Sequence, residues 1–200
     1  MQTKKDIYLD QSSTSFPKAP GVADAMWTLL EHHGVNIGRG NYQEAYSVEG
    51  DVLDTRLRLA KLFNVSDARN IIFTPGVTFS LNTFFEGYLK PGDHVVVSGM
   101  EHNAVMRPLK RLQSRRGVRY TIAKATERGE VPVESFEKAL ERDTKAIVTL
   151  HASNVAGTIL PAREIGQLCK ERGIVFALDT AQSAGSVEIA MDAMHIDLLA

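Results

Sequence analysis

The fold is indicated most clearly by the stretch Ile174-Val175-Phe176-Ala177-Leu178-Asp179-Thr180-Ala181-Gln182. Its five consecutive apolar residues lead directly into a carboxylate. A continuous apolar run of this length is typical of a parallel strand that is buried on both faces. In open α/β sheets, ligands bind just beyond the carboxyl ends of such strands. The pattern therefore leaves two interpretations of Asp179: it belongs to a ligand site, or it caps the free N–H groups of a following helix.

Strand-like runs and helical patterns alternate along the rest of the chain. Strands are predicted at 7–10, 70–73, 94–98, 118–123, 146–150 and 174–179, with a last one beginning at 196. Helical spacing predicts helices over about 21–33 and 44–63, after the turn at 74–78, before Gly117, around 133–140 and before Gly173. Parallel neighbours need helical crossovers, so this order predicts an α/β fold with a mostly parallel sheet.

Composition excludes several classes of protein. The chain has 200 residues and a formal net charge of −1, without a basic stripe, which argues against nucleic acid as a partner. No apolar run approaches membrane-spanning length, and the start of the chain lacks a secretory apolar region. Cys169 is the single cysteine, so a reducing compartment is expected, and its helical position predicts a packed core thiol. A soluble cytoplasmic protein with no membrane partner is the expectation.

Polar residues follow several of the predicted strands and are expected to share one edge of the sheet. They are Thr78, His102, Asn154 and the pair Asp179 and Gln182. Each has a simpler alternative: the turn before Thr78 is ordinary helix capping, and His102 is a hydrogen-bonded loop histidine. Their convergence on one edge favours a binding site over these separate explanations.

Two other stretches are interpreted as structural. His32 and His33 are neighbours in sequence and point to different helix faces, which favours surface or edge histidines over a metal site. Gly38-Arg39-Gly40-Asn41 is more simply a linker than an anion site. We predict no metal site in this chain.

In this order and spacing, the motifs resemble one family. Four stretches are similar to motifs of pyridoxal-phosphate (PLP) enzymes with the class V aminotransferase fold. They are Ile7-Tyr8-Leu9-Asp10-Gln11-Ser12-Ser13-Thr14, Met100-Glu101-His102-Asn103, Ser153-Asn154 with Gly157, and Asp179-Thr180-Ala181-Gln182. Within that fold, the motifs are similar to those of the cysteine desulfurase and selenocysteine lyase group. The resemblance runs nearly end to end and implies a three-layer α/β domain, the large domain of fold type I, with an N-terminal segment at 1–20 and the PLP-binding domain at 21–200.

The resemblance also implies roles for individual residues. His102 would stack on the pyridine ring, and Asp179 would pair with the pyridine nitrogen and keep it protonated; we name these two as catalytic. The remaining cofactor contacts implied are the phosphate-binding Gly76, Val77 and Thr78, the ring-packing Ala104 and Ala181, and the polar side chains of Asn154 and Gln182.

Three residues depart from the family pattern. Val77 replaces a hydroxyl residue and removes one phosphate donor, Gln11 replaces an Asn, and Thr180 replaces a Gly or Ala. The Schiff-base lysine, the mobile cysteine and the substrate-carboxylate arginine of the family are expected beyond Ala200. The large domain is therefore expected to be incomplete at its C-terminus, and these residues alone to be inactive.

The implied function is a PLP-dependent lyase that removes sulfur or selenium from cysteine or selenocysteine, in a homodimer that passes sulfur to an acceptor protein. One alternative is a class V aminotransferase or another PLP amino-acid lyase. The other is a noncatalytic α/β interaction domain.

Overall fold

The computed structural model describes residues 7–200 and divides the chain into two compact units, Met1–Arg58 and Leu59–Ala200. The predicted N-terminal segment at 1–20 thus lies partly outside the described residues. The first unit contains helix α1, Val22–His32, and most of helix α2, Gln43–Leu62, in which the unit boundary falls. Both helices were predicted within two residues of their observed bounds.

The second unit contains a five-stranded parallel sheet with the strand order β2-β1-β3-β4-β5. Its strands are β1 His94–Ser98, β2 Arg119–Ala123, β3 Thr144–Leu150, β4 Val175–Asp179 and β5 Leu198–Leu199. The decisive stretch is confirmed as a strand, and its Leu178 and Asp179 pair with Thr149 and Leu150 of β3. The predicted parallel α/β sheet is therefore confirmed.

Helices cover both faces of this sheet. They are α3 Val77–Tyr88, α4 Asn103–Arg116, α5 Val133–Ala139 and α6 Ala162–Arg172. Alternate strand residues face opposite layers: Ile147 and Phe176 pack in one core with α5 and α6, and Val97 and Val148 pack in the other with α3 and α4. This is the three-layer arrangement that the resemblance implied.

Two predicted strands are absent. Among the described residues, Ile7 to Asp10 form no strand, and their polar successors begin a turn. Asn70 ends a 3-10 helix, Ala68–Asn70, and the next three residues belong to no strand. Ile72 is 78% exposed, so its apolar side chain is not in either core. Apolar β-prone residues predicted a strand there, but strand formation also depends on a neighbouring strand, which local composition does not specify.

Helix α3 buries only part of its apolar side. Tyr88, its last residue, is 40% exposed, and its hydroxyl contacts the Lys145 carbonyl oxygen at 3.5 Å. Leu81 and Phe85 form the fully buried part of that face. Within residues 7–200, no helix is both long and apolar enough to cross a membrane.

Candidate functional site

Three neighbouring strands deliver the candidate residues to the carboxyl edge of the sheet. β1 ends at Ser98, β3 ends at Leu150, and β4 ends at Asp179. The loops that follow them carry His102, Asn154 and Gln182, as predicted from the sequence. Because 70–73 is not a strand, the fourth contribution to this region is the start of helix α3 instead.

Asp179 is fixed at both its main chain and its side chain. Its carbonyl oxygen accepts a hydrogen bond from the N–H of His151 at 2.8 Å, and its Oδ1 accepts one from the N–H of Ala181 at 3.0 Å. The residue is 5% exposed. Burial raises the pKa of the Asp179 carboxyl, while the Ala181 N–H and the nearby His102 oppose that rise. A buried carboxylate of this kind is stabilised by a cationic or N–H-bearing partner.

His102 is the N-cap residue of α4. Its Nδ1 accepts a hydrogen bond from the N–H of Ala104 at 3.1 Å, while the residue remains exposed. Because Nδ1 is an acceptor in this geometry, the neutral ring carries its proton on Nε2. His102 also acts on Asp179, since it opposes the rise in the pKa of that carboxyl group. The structure thus places both predicted catalytic residues at the carboxyl edge of the sheet, and Ala104, to which His102 is hydrogen-bonded, is buried.

The start of α3 offers unbonded N–H groups. Gly76 is its N-cap at φ 146°, ψ 172°, a conformation that favours glycine, and no side chain caps the helix. The first helical residues, Val77 and Thr78, have N–H groups without an intrahelical acceptor. These groups and the helix dipole suit an anion, although Val77 supplies no hydroxyl.

Helix α3 runs so that this start lies at the carboxyl edge of the sheet. Its last residue, Tyr88, contacts Lys145 near the beginning of β3, at the opposite edge. A helix of 12 residues is about 18 Å long and a strand of 5 residues is about 17 Å, so the other end of α3 reaches the level where the strands end.

Asn154 lies in an exposed turn that follows β3. The Oγ of Ser153 accepts hydrogen bonds from the N–H groups of Val155 and Ala156 at 3.2 and 3.1 Å, which fixes the backbone around Asn154. The hydroxyl of Thr158 then donates to the Gly129 carbonyl oxygen at 2.9 Å. The turn is therefore held from within and from a neighbouring loop.

Gln182 is half-buried in the turn after β4. The preceding Thr180 donates from both its N–H and its hydroxyl to the Ala200 carbonyl oxygen, at 2.7 and 2.8 Å. On the other side, the buried Ser183 hydroxyl lies 3.0 Å from Nδ1 of the buried His151. These anchors order the backbone that carries Ala181 and Gln182.

Sequence reasoning did not single out Glu101, His151 or Ser183. Glu101 and Ser183 adjoin predicted residues in the sequence, and Glu101 belongs to the motif that contains His102. Burial raises the pKa of the Glu101 carboxyl to about 7. Strand periodicity does not continue into the loops, so it gave no signal that these side chains turn inward.

The prediction that Cys169 is a packed core thiol is confirmed. Cys169 is 1% exposed in the core, and burial raises the pKa of its thiol to about 12. His32 is exposed and His33 is half-buried. Within the described part of the chain, no cluster of three or more histidine, cysteine or acidic residues is arranged to hold a metal ion.

Sequence comparison assigns the chain to a family and shows its similarity to cysteine desulfurases. The aminotransferase class-V family model matches residues 7–200. Cysteine desulfurase IscS of Shewanella baltica (strain OS223) is 36% identical over 202 residues, which cover 98% of this chain and 49% of that protein. The chain therefore spans about half the length of the curated relatives it matches.

Solved structures agree with this assignment. The apo cysteine desulfurase of Thermococcus onnurineus NA1 superposes with a TM-score of 0.88 at 28% identity, covering 96% of this chain and 48% of that one. SspA, solved in complex with cysteine, gives a TM-score of 0.88 at 28% identity, covering 96% and 55%. The resemblance inferred from the motifs is confirmed, and this chain belongs to the aminotransferase class V family.

Proposed function

We propose that the protein containing this chain is a PLP-dependent cysteine desulfurase and that these residues supply most of its cofactor-binding domain. The observation that carries the proposal is the buried Asp179, held at the end of β4 beside His102. The remaining support comes from relatives named as cysteine desulfurases, of which this chain spans about half.

Class V aminotransferases and cysteine desulfurases depend on pyridoxal 5′-phosphate. The residues of this chain fit that group. Asp179 is a buried carboxylate that suits a protonated pyridine nitrogen, and the exposed His102 ring suits stacking on an aromatic plane. The uncapped start of α3 at Gly76, Val77 and Thr78 suits a phosphate.

When bound, the cofactor withdraws electrons from the substrate Cα and so stabilises the carbanion formed there. Asp179 would raise the pKa of the pyridine nitrogen and keep its proton in place. His102 would hold the ring from one face, and Ala104 and Ala181 would pack near it. Asn154 and Gln182 would hydrogen-bond its polar edge and fix its orientation.

We propose L-cysteine as the substrate, with selenocysteine as a second candidate. Support comes from the name of the Shewanella relative and from SspA, whose structure contains cysteine. The resemblance further suggests a cytoplasmic homodimer that passes sulfur to an acceptor protein. The covalent lysine, a sulfur-accepting cysteine other than Cys169, and a substrate-binding arginine would come from residues outside this chain.

The proposal is tested by expressing the full-length protein, supplying PLP and adding L-cysteine with a thiol reductant. Release of sulfide and alanine in equal amounts is the expected result. Transfer of the amino group to a 2-oxo acid without sulfide release would indicate an aminotransferase. Failure to bind PLP would indicate the noncatalytic domain.

A further inference from the structure

Glu101 joins two strand ends at the candidate site. Its Oε1 accepts a hydrogen bond from the N–H of Leu150 at 2.9 Å and another from the hydroxyl of Ser98. The Oγ of Ser98 in turn accepts from the N–H of Met100 at 3.2 Å. One carboxyl oxygen therefore ties the loop that carries His102 to the ends of β1 and β3.

The second oxygen of the same carboxyl group is in a different environment. Oε2 is buried and has no hydrogen-bond partner among the described residues. A carboxylate oxygen removed from water without a donor is costly, and protonation lowers that cost because a neutral group is buried more cheaply than a charged one. The oxygen that accepts two hydrogen bonds is then the carbonyl oxygen, which leaves Oε2 as the protonated one.

Asp179 adds a second reason for Glu101 to hold a proton. Leu150, which donates to Glu101, is the register partner of Asp179 in the β3–β4 pair. Two buried carboxylates that interact do not both ionise easily. His102 and the Ala181 N–H stabilise the charge of Asp179, whereas Glu101 has only neutral donors.

The groups that act on Glu101 come from three strands. Burial and, less strongly, the negative charge of Asp179 on β4 raise the Glu101 pKa to about 7, while Ser98, Leu150 and the Thr149 hydroxyl oppose the rise. Asp179 is the charged member of this set. Their different surroundings thus favour the neutral form of Glu101 and the ionised form of Asp179.

We propose that Glu101 is a positioning residue that holds a proton on Oε2, so that Asp179 is the single negative charge at the carboxyl ends of these strands. Through Oε1, Glu101 also holds the loop that carries His102 against the end of β3. The protonation state is a property of the protein alone. The role of the Asp179 charge in keeping the pyridine nitrogen of PLP protonated rests on the proposed function.

Infrared difference spectroscopy of the full-length protein without PLP tests the protonation directly. Between about pH 6 and about pH 8.5, exposed carboxyl groups stay ionised, so loss of a protonated-carboxyl band reports a group with a raised pKa. We expect that band in the natural protein and in Glu127→Gln, an exposed matched control, and its loss in Glu101→Gln. A natural protein without the band, or a band that survives Glu101→Gln, overturns the proposal.

Binding of PLP to the same variants separates the two proposals. Glu101→Gln retains a neutral group and an oxygen for the Leu150 N–H, so we expect PLP affinity within about threefold of the natural protein, whereas Glu101→Ala should weaken it at least about tenfold. Equal losses in both variants would show that the charge of Glu101 is required and contradict the proposal. An infrared band without any PLP binding would leave the Glu101 inference standing and refute the proposed function.

Discussion

The N–H of His151 donates to the Asp179 carbonyl oxygen at 2.8 Å, which continues the β3–β4 ladder as far as the residue that bears the site carboxylate. The Oδ1 of the same residue accepts from Ala181 at 3.0 Å. Main chain and side chain of Asp179 are thus fixed by different neighbours. A substitution that keeps the shape of the side chain tests its charge without changing its position.

Asp179→Asn should therefore lower cysteine turnover without unfolding the protein. The loss of a charge-assisted hydrogen bond of about 1.5–3 kcal/mol corresponds to a roughly 10- to 150-fold decrease in kcat/KM. Stability without cofactor should be unchanged or higher, because a buried charge is removed. Sulfide release and thermal unfolding measure the two effects, with the exposed Asp192→Asn as control. Unchanged turnover and an unchanged cofactor spectrum would refute the role of Asp179.

The sequence predicted those parts of the fold in which local pattern and tertiary context agree. Apolar runs marked β1, β3 and β4 because these strands are buried on both faces, and Gly117 and Gly173 marked helix ends because they adopt left-handed conformations. The segment 70–73 is similarly apolar but belongs to no strand of the described sheet. Pairing is a long-range property that local composition does not contain.

The residues of the candidate site were likewise predictable only in part. Residues directly after a strand, such as Asp179, were predictable because strand ends share an edge. Glu101 and His151 were not, since their inward orientation depends on hydrogen bonds to Leu150 and Ser183 from other segments of the chain. The family resemblance named cofactor contacts and left these supporting residues unmarked.

His151 should make stability depend on pH. Burial lowers the pKa of its imidazole below 6.5, so the folded protein binds this proton less readily than the unfolded chain does. Its contribution is fully present above about pH 6.5 and is lost as the pH falls toward the folded pKa. His151→Gln should reduce the fall in unfolding free energy between about pH 7.5 and about pH 5.5, measured with urea.

The exposed His32→Gln is the control for this experiment and should leave the slope unchanged. Part of the slope should remain in His151→Gln, because burial also lowers the pKa of His94. An identical slope in the natural protein and in His151→Gln would contradict the prediction.

Gly166 should not tolerate a side chain. A Cβ at this position in α6 would overlap the carbonyl oxygen of Met194, a backbone atom, and would lie 3.2 Å from the Phe176 ring. Gly166→Ala should therefore lower the unfolding free energy by about 1–3 kcal/mol, as expected for overpacking. Gly87→Ala in α3, where a Cβ meets no atom within 4 Å, should be neutral or stabilising by up to about 1 kcal/mol. Thermal unfolding of both variants would check the contrast, and equal effects would contradict it.

Cys169 should be chemically inert in the folded protein. It is buried, and its thiol, with a pKa of about 12, stays protonated at neutral pH. Iodoacetamide should label it only after denaturation, as followed by mass spectrometry of the modified peptide. Cys169→Ala should retain sulfide release in the full-length protein, with only a small loss of stability. Loss of sulfide release in a folded Cys169→Ala variant would assign this thiol a role in the reaction.

Thr180 departs from the Gly or Ala of the family pattern, and the structure gives the hydroxyl a partner. Both its N–H and its Oγ1 donate to the Ala200 carbonyl oxygen, and the residue is 2% exposed. Thr180→Val removes one of these donors and nearly keeps the shape, so it should cost about 0.5–1.5 kcal/mol of unfolding free energy. Thr180→Ser keeps the hydroxyl and should recover most of that loss, whereas a loss in Thr180→Ser without a loss in Thr180→Val would assign the effect to the methyl group. Chemical denaturation of the three proteins at one pH separates the two explanations, because the backbone hydrogen bond from the Thr180 N–H remains in each of them.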